Sequence, residues 1–252
     1  MSVAIVAHCG DVQHCPESTL PAFGSAIQRG ADVIEFDVHL TVDEEVVIHH
    51  FYYLGTTNNG NGYISQYSLD ELRQLDAGSW YSSEFAGAQI PTLKEVFVFG
   101  RGQTRFQVDL KTPDLRLIHK VVEIIEQTGV VGEVQLTSPH LPLLFHLKQY
   151  APHLPIGTFF MKPPLWMKRP LAQLQVLQTA QLMNLQYVHL NIDLIDAPFV
   201  ASLKEHGYKV HGSNLNTIAE MQHALRAGVD QFSTDLLEVA FEQRYAFDTQ
   251  NS

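Results

Sequence analysis

Cysteine is nearly absent: Cys9 and Cys15 are the two in 252 residues, too few for the disulfide framework of a small secreted scaffold. Positive charge is scarce as well. Sixteen Lys and Arg stand against 27 Asp and Glu, a formal net charge of −11 at pH 7. That balance argues against duplex DNA, or nucleic acid in general, and against an anionic membrane surface as a partner. A phosphate ester remains a possible ligand where a local metal or Lys reverses the field. No run of about 18 or more apolar residues occurs, so no membrane insertion is expected. The N-terminus has no basic stretch followed by a long apolar core, and the strand-like Val3–His8 begins almost at once. The expected setting is soluble and cytoplasmic.

What is present is a 45% apolar chain, ample for a core and of the length typical of one α/β barrel. Short apolar strands alternate with longer amphipathic segments, the pattern of βα units around a parallel sheet. Strands are predicted at 3–7, 32–38, 46–49, 105–110, 133–137, 156–160, 187–191, 208–211 and 230–233. Helices are predicted at 18–29, 69–76, 114–128, 140–150, 170–183, 196–206 and 216–227. The link between the second and third strands is too short for a crossover helix, so the third continues the second or pairs with it antiparallel. From about 50 to 92 the chain is rich in Gly, Asn, Ser and Tyr and reads as an insertion over one face. No Gly-rich phosphate loop follows the first strand, where an open doubly wound sheet would be expected to carry one. The expected architecture is a (β/α)8 TIM barrel, one domain over residues 1–252, with a small insertion after the second strand region.

Glu35 and Asp37 lie one residue apart inside the apolar run Val33–Val38. Strand alternation puts both on one face and Ile34, Phe36 and Val38 on the other. Two half-buried carboxylates repel each other and are costly to bury. A hard divalent cation such as Mg2+ or Ca2+ would relieve that cost; so would solvation at a strand end beside Arg or Lys. Other ionisable residues fall at predicted strand ends, where barrel enzymes place their chemistry. His8 ends the first strand, His49 the third, and Asp109 and Lys111 share a face at the end of the fourth. Each alone has a structural explanation; their convergence at one barrel mouth points to a site.

The same segments resemble the glycerophosphodiester phosphodiesterase family. They are Ala7-His8-Cys9-Gly10, Pro16-Glu17-Ser18-Thr19-Leu20-Pro21-Ala22-Phe23, Gly30 through Thr41, Val46-Val47-Ile48-His49, Leu75-Asp76-Ala77-Gly78, Ile90 through Val96, and Asp109-Leu110-Lys111, with a weaker echo at Gly228-Val229-Asp230 and Thr234-Asp235. The resemblance implies metal-dependent hydrolysis of a glycerophosphodiester, a small molecule of lipid and glycerol metabolism, to an alcohol and glycerol 3-phosphate. It implies that Glu35, Asp37 and Asp109 hold the cation, that His8 and His49 are the acid and base, and that Lys111 contacts the phosphate or a metal ligand.

Several positions depart from the family pattern. Cys9 stands where Arg is usual, removing a two-pronged contact of the kind worth ~1.5–3 kcal/mol; the thiol either packs or ligates a softer metal. His50 stands where Asp is usual and, if the strand persists, points away from the face of His49. Asp109 is one methylene shorter than the common Glu. Ser213 falls where a pocket-lining Trp is usual, implying a wider or more polar pocket. His14 and Cys15 are expected at the surface. Two rivals stay open: a family member weakened in catalysis that binds a phosphorylated ligand, and a barrel lyase whose metal holds an enolate.

Overall fold

The computed structural model describes residues 2–250. The chain runs β1 (Ala4–His8), α1 (Leu20–Gln28), β2 (Val33–Leu40), β3 (Val46–Ile48), the one-turn α2 (Leu69–Leu72), α3 (Leu93–Gly100), β4 (Arg105–Leu110), α4 (Leu115–Thr128) and β5 (Val134–Thr137). It continues with α5 (Leu141–Tyr150), β6 (Ile156–Phe160), α6 (Arg169–Leu182), β7 (Tyr187–Leu190), α7 (Ala197–Glu205), β8 (Lys209–Gly212), α8 (Ile218–Ala227), β9 (Gln231–Thr234) and α9 (Leu237–Gln250). Eight strands pair in parallel in the order β1-β9-β8-β7-β6-β5-β4-β2, and β1 pairs with β2 to close a (β/α)8 TIM barrel. β3 lies antiparallel on β2, Val38 opposite Ile48, as the short link between them requires.

Two helices fall outside the sequence expectation. α3 is rich in Phe and Val, which reads as strand by composition. Its start is set by a capping box in which Thr92 accepts from the Glu95 backbone and Glu95 reaches back to Thr92. α9 buries only Leu237 and Ala240, so it has too narrow an apolar stripe to register as periodic. α4 shows the opposite case. Leu117, Ile118, Val121, Val122 and Ile125 form one buried stripe between an Asp114 cap and a left-handed Gly129.

Strand alternation separates two interiors. The outward residues Ile34, Phe36, Val38, Phe106 and Val108 join the apolar layer between strands and helices. There Phe97 and Phe106 lie with ring centroids 4.9 Å apart. Full burial of each such side chain stabilises by roughly 1.5–3 kcal/mol. The inward residues are polar: Glu35, Asp37, Gln107, Asp109, Gln135, Thr137, His189, His211, Gln231 and Ser233 are all buried. Gln135 donates to Gln107 at 2.7 Å, and Gln231 donates to His211 Nδ1 at 2.9 Å. Gly157 is required here, since a Cβ would stand 2.9 Å from His189 Nε2 and 2.8 Å from Tyr187 Cβ. The stretch between β3 and α3 has a separate small core of Val47, Leu54, Ile64, Leu72, Ala77 and Ile90, which gives the expected insertion its own packing.

Candidate active site

Register assembles the site at the carboxyl ends of the first strands. His8 is paired with Glu35 across β1 and β2, and Asp37 with Asp109 across β2 and β4. These residues line a cleft of about 550 Å³ together with Lys111, Gln107 and His50 on one side. Phe159, Phe160, Met161, Asn191, Ser213 and Asn214 line the other.

At the end of β1 the chain takes the left-handed region twice, at Cys9 (φ 55°) and Gly10 (φ 92°). A side chain costs ~1–2 kcal/mol in that region. The turn aims the Cys9 backbone N–H at Glu35 Oε2, 3.3 Å away, and places Cys9 Sγ 3.8 Å from Asp37 Oδ2. Lys111 Nζ bridges the second pair, 2.9 Å from Asp37 Oδ1 and 2.5 Å from Asp109 Oδ2. Thr137 donates to the other Asp109 oxygen at 3.1 Å. Burial, then the neighbouring Glu35, pushes the Asp37 carboxyl up to about 8 despite Lys111. Burial also raises Glu35. Two carboxylates in this state favour a further cation beside them.

The three carboxylates expected to hold a cation are therefore all in the cleft, but not equivalently. Donor atoms of Glu35, Asp37 and Cys9 lie within 4.8 Å of one another, and so do those of His8, Cys9 and His50. Asp109 is engaged by Lys111 and Thr137. The donor set of two carboxylates and a thiol fits a divalent cation, with the sulfur making the set softer than the all-oxygen one.

His8 is held by Asp235, an acid the sequence reading placed only in a weak echo. Nδ1 of His8 donates to Asp235 Oδ1 at 2.7 Å, and Nε2 lies 3.2 Å from the Asn214 side-chain amide. Burial alone would lower the His8 pKa; Cys9, Asp235 and Glu35 outweigh it and raise it well above the ordinary value. Thr234-Asp235 at the end of β9, beside β1 in a closed barrel, is the sequence signal that could have found this partner.

His49 does not line the cleft, contrary to the sequence expectation. β3 stops at Ile48, so alternation no longer governs the next residues. The ring turns into the insertion, 2% exposed, where Nδ1 donates to the Phe51 carbonyl at 2.7 Å and Asn58 donates to Nε2 at 2.9 Å. Burial lowers its pKa, in keeping with a neutral imidazole that orders the loop. His50 faces the cleft instead. Its ring meets that of His8 edge-on at 5.3 Å, and Nδ1 donates to Glu17 at 3.1 Å. Burial would lower its pKa, but Cys9, Glu17 and Asp37 push it up to about 11. The two histidines thus point apart, as expected, with their faces exchanged. Cys15 is buried rather than at the surface, under Asp11, whose carboxylate takes Ser25, Arg29 and His14.

A closed (β/α)8 barrel whose mouth gathers acidic, basic and imidazole groups around a cleft defines a barrel enzyme with its active site at the carboxyl ends of the strands. The family model described as the glycerophosphoryl diester phosphodiesterase family matches residues 8–239, and the chain belongs to that family. A glycerophosphodiester phosphodiesterase from Caldanaerobacter subterraneus subsp. tengcongensis is 30% identical over 240 residues, covering 93% of this chain and 95% of that one. A putative glycerophosphodiester phosphodiesterase of Bacillus subtilis is 29% identical over 241 residues, covering 92% and 93%. Among solved structures, an Oleispira antarctica phosphodiesterase in complex with the product sn-glycerol-3-phosphate superposes with a TM-score of 0.84 at 26% identity, covering 96% of each chain. The activity supported is hydrolysis of glycerophosphodiesters.

Proposed function

We propose that this chain, acting as one domain with its insertion, hydrolyses a small glycerophosphodiester to an alcohol and glycerol 3-phosphate by histidine acid–base catalysis. The observation that carries the reading is the convergence of His8, Glu35, Asp37, His50, Asp109 and Lys111 on one cleft. Glu35 and Asp37, with Cys9 in reach, would hold a divalent cation, Mg2+ or Ca2+ or a softer ion that the thiol favours. Such an ion would neutralise the carboxylates and polarise the phosphoryl oxygens. Asp109 supports it indirectly by holding Lys111, whose ammonium faces the developing phosphoryl charge. His8, kept protonated by Cys9, Asp235 and Glu35, donates to the leaving oxygen. His50 stands across from it, where its protonated imidazole can supply the positive charge that Cys9 does not.

The test is release of glycerol 3-phosphate from glycerophosphocholine with and without chelator, in the parent and in His8→Ala, His50→Ala and His49→Ala. Loss of about 10²-fold or more is expected for the first two, with a smaller loss for His49→Ala. Full turnover in His50→Ala beside inactivity in His49→Ala would return the second role to His49. A specific feature favours a second reading. A Cys9 and His50 pair where the family has Arg and Asp fits a protein that binds a phosphorylated ligand with weakened turnover. Calorimetric binding of glycerol 3-phosphate with no product from any diester would establish it.

A further inference from the structure

The acidic balance of the chain is not uniform. Residues 134–192, from β5 through β7, contain no Asp or Glu, yet carry Lys148, Lys162, Lys168 and Arg169. Within that sector the loop from β6 to α6 exposes large apolar side chains. Met161 is 75% and Trp166 73% exposed, and Leu165 is fully exposed. Leu171 and Leu174 continue the apolar surface along α6. The loop is not loose: Phe160 and Met167 pack against the barrel core on either side, so the apolar tip is held outward. Its cations are accessible. Lys162 meets Asp193 in an exposed pair at 2.9 Å, of the kind worth little and readily exchanged, and Arg169 stands at the longer distance of 3.6 Å from the half-buried Asp196. The same loop ends in the cleft, because Phe159, Phe160 and Met161 form its apolar wall.

We propose that the loop and α6 dock the cleft onto an anionic lipid surface, and that the substrate class includes glycerophosphodiesters still carrying an acyl chain. Leu165 and Trp166 enter the interface while Lys162, Lys168 and Arg169 meet lipid phosphates, the combination that interfacial segments use. The charge complementarity is local: the protein as a whole is repelled by such a surface, so it approaches with this face. An acyl chain extends along Phe160 and Met161 toward the bilayer while its glycerophosphate reaches His8 and Lys111. The chemistry rests on the phosphodiesterase reading and is unchanged. Water supplies hydroxide to phosphorus, the bond from phosphorus to the alcohol oxygen breaks, and the leaving oxygen takes a proton.

Sedimentation with phosphatidylglycerol vesicles tests the surface, with phosphatidylcholine vesicles as control and Trp166 emission as a second readout. The parent is expected to bind the anionic vesicles with a blue shift and to bind the neutral ones weakly. Leu165→Glu/Trp166→Glu abolishes binding, and Lys168→Glu weakens it by about fivefold or more at low salt. Neither variant alters turnover of soluble glycerophosphocholine, but both slow hydrolysis of a lysophospholipid presented on the vesicles. Equal binding to both vesicle types, no binding, or unchanged binding by the double variant overturns the proposal. So does a parent dimer that this variant dissolves in the absence of vesicle binding. A parent inactive on both substrates overturns the phosphodiesterase reading instead, and sedimentation alone then decides the lipid surface.

Discussion

The two halves of the barrel mouth are built from different chemistry. The strands from β1 to β4, with the residues after β3, supply every charged group that lines the cleft: His8, Glu35, Asp37, His50, Asp109 and Lys111. The strands from β6 to β9 supply Phe159, Phe160, Met161, Asn191, Ser213, Asn214 and Ser233, neutral or apolar throughout. The first half is costly to bury and mutually compensating; the second is inexpensive to vary. On the proposed function, that division puts bond breaking on one side and the choice of alcohol on the other. The connection between them is thin. Asn214 and Asp235, at the ends of β8 and β9, reach across to the two nitrogens of His8.

Cutting that connection gives the largest effect expected here. Asp235→Asn leaves a hydrogen-bond partner but removes the charge that helps raise His8. Turnover should fall by up to about 10². A general acid works only while protonated, and the variant lowers the His8 pKa. The alkaline limb of the pH–rate profile should therefore move to lower pH. An unmoved limb would show that Asp235 merely packs against the ring.

The charged half can also be probed through its one soft atom. Cys9→Ser removes a thiol whose sulfur lies with Glu35 and Asp37 in one donor cluster. Affinity for Zn2+ or Cd2+ should drop by about tenfold or more while affinity for Mg2+ changes little. In the parent, Co2+ should show a sulfur-to-metal charge-transfer band in the near ultraviolet that the variant lacks. A parent without the band would place Cys9 in a packing role.

Sequence patterning carried the barrel, the antiparallel β3 and five of the six charged residues in the cleft, because strand period and register act on short stretches of chain. Glu35, Asp37 and Asp109 follow from alternation alone. The exchange of His49 and His50 was not legible, since it depends on where β3 ends, and β3 ends where the Asn58 loop captures an imidazole. The role of Asp235 is not legible in the sequence, because the closure of β9 onto β1 joins residues 227 positions apart. The local excess of cations around the loop after β6 is obscured by net charge, a whole-chain sum that hides a stretch without carboxylates. α9 gave no periodic signal at all.

One residue type occurs in both halves with opposite electrostatics, and this offers the finest test of the division. His8 sits among carboxylates and is pushed up. His189, on β7 in the neutral half, is fully buried, stacks on His211 at 4.2 Å, and has no hydrogen-bond partner on either nitrogen among the described residues. Burial pushes it down to about 3. The unfolded chain takes up a proton at His189 near pH 6.5, whereas the folded chain does not. The stability from a neutral His189 is therefore complete above about 6.5 and is lost as pH falls from there toward 3. His189→Leu removes that proton linkage and should flatten the decline between pH 6.5 and pH 5 by ~1 kcal/mol per pH unit, with His211 retaining part of the slope. Urea midpoints at several pH values measure it. A parallel decline in parent and variant would mean that His189 is protonated in the folded barrel, and that the second half of the lumen is not the neutral environment its composition implies.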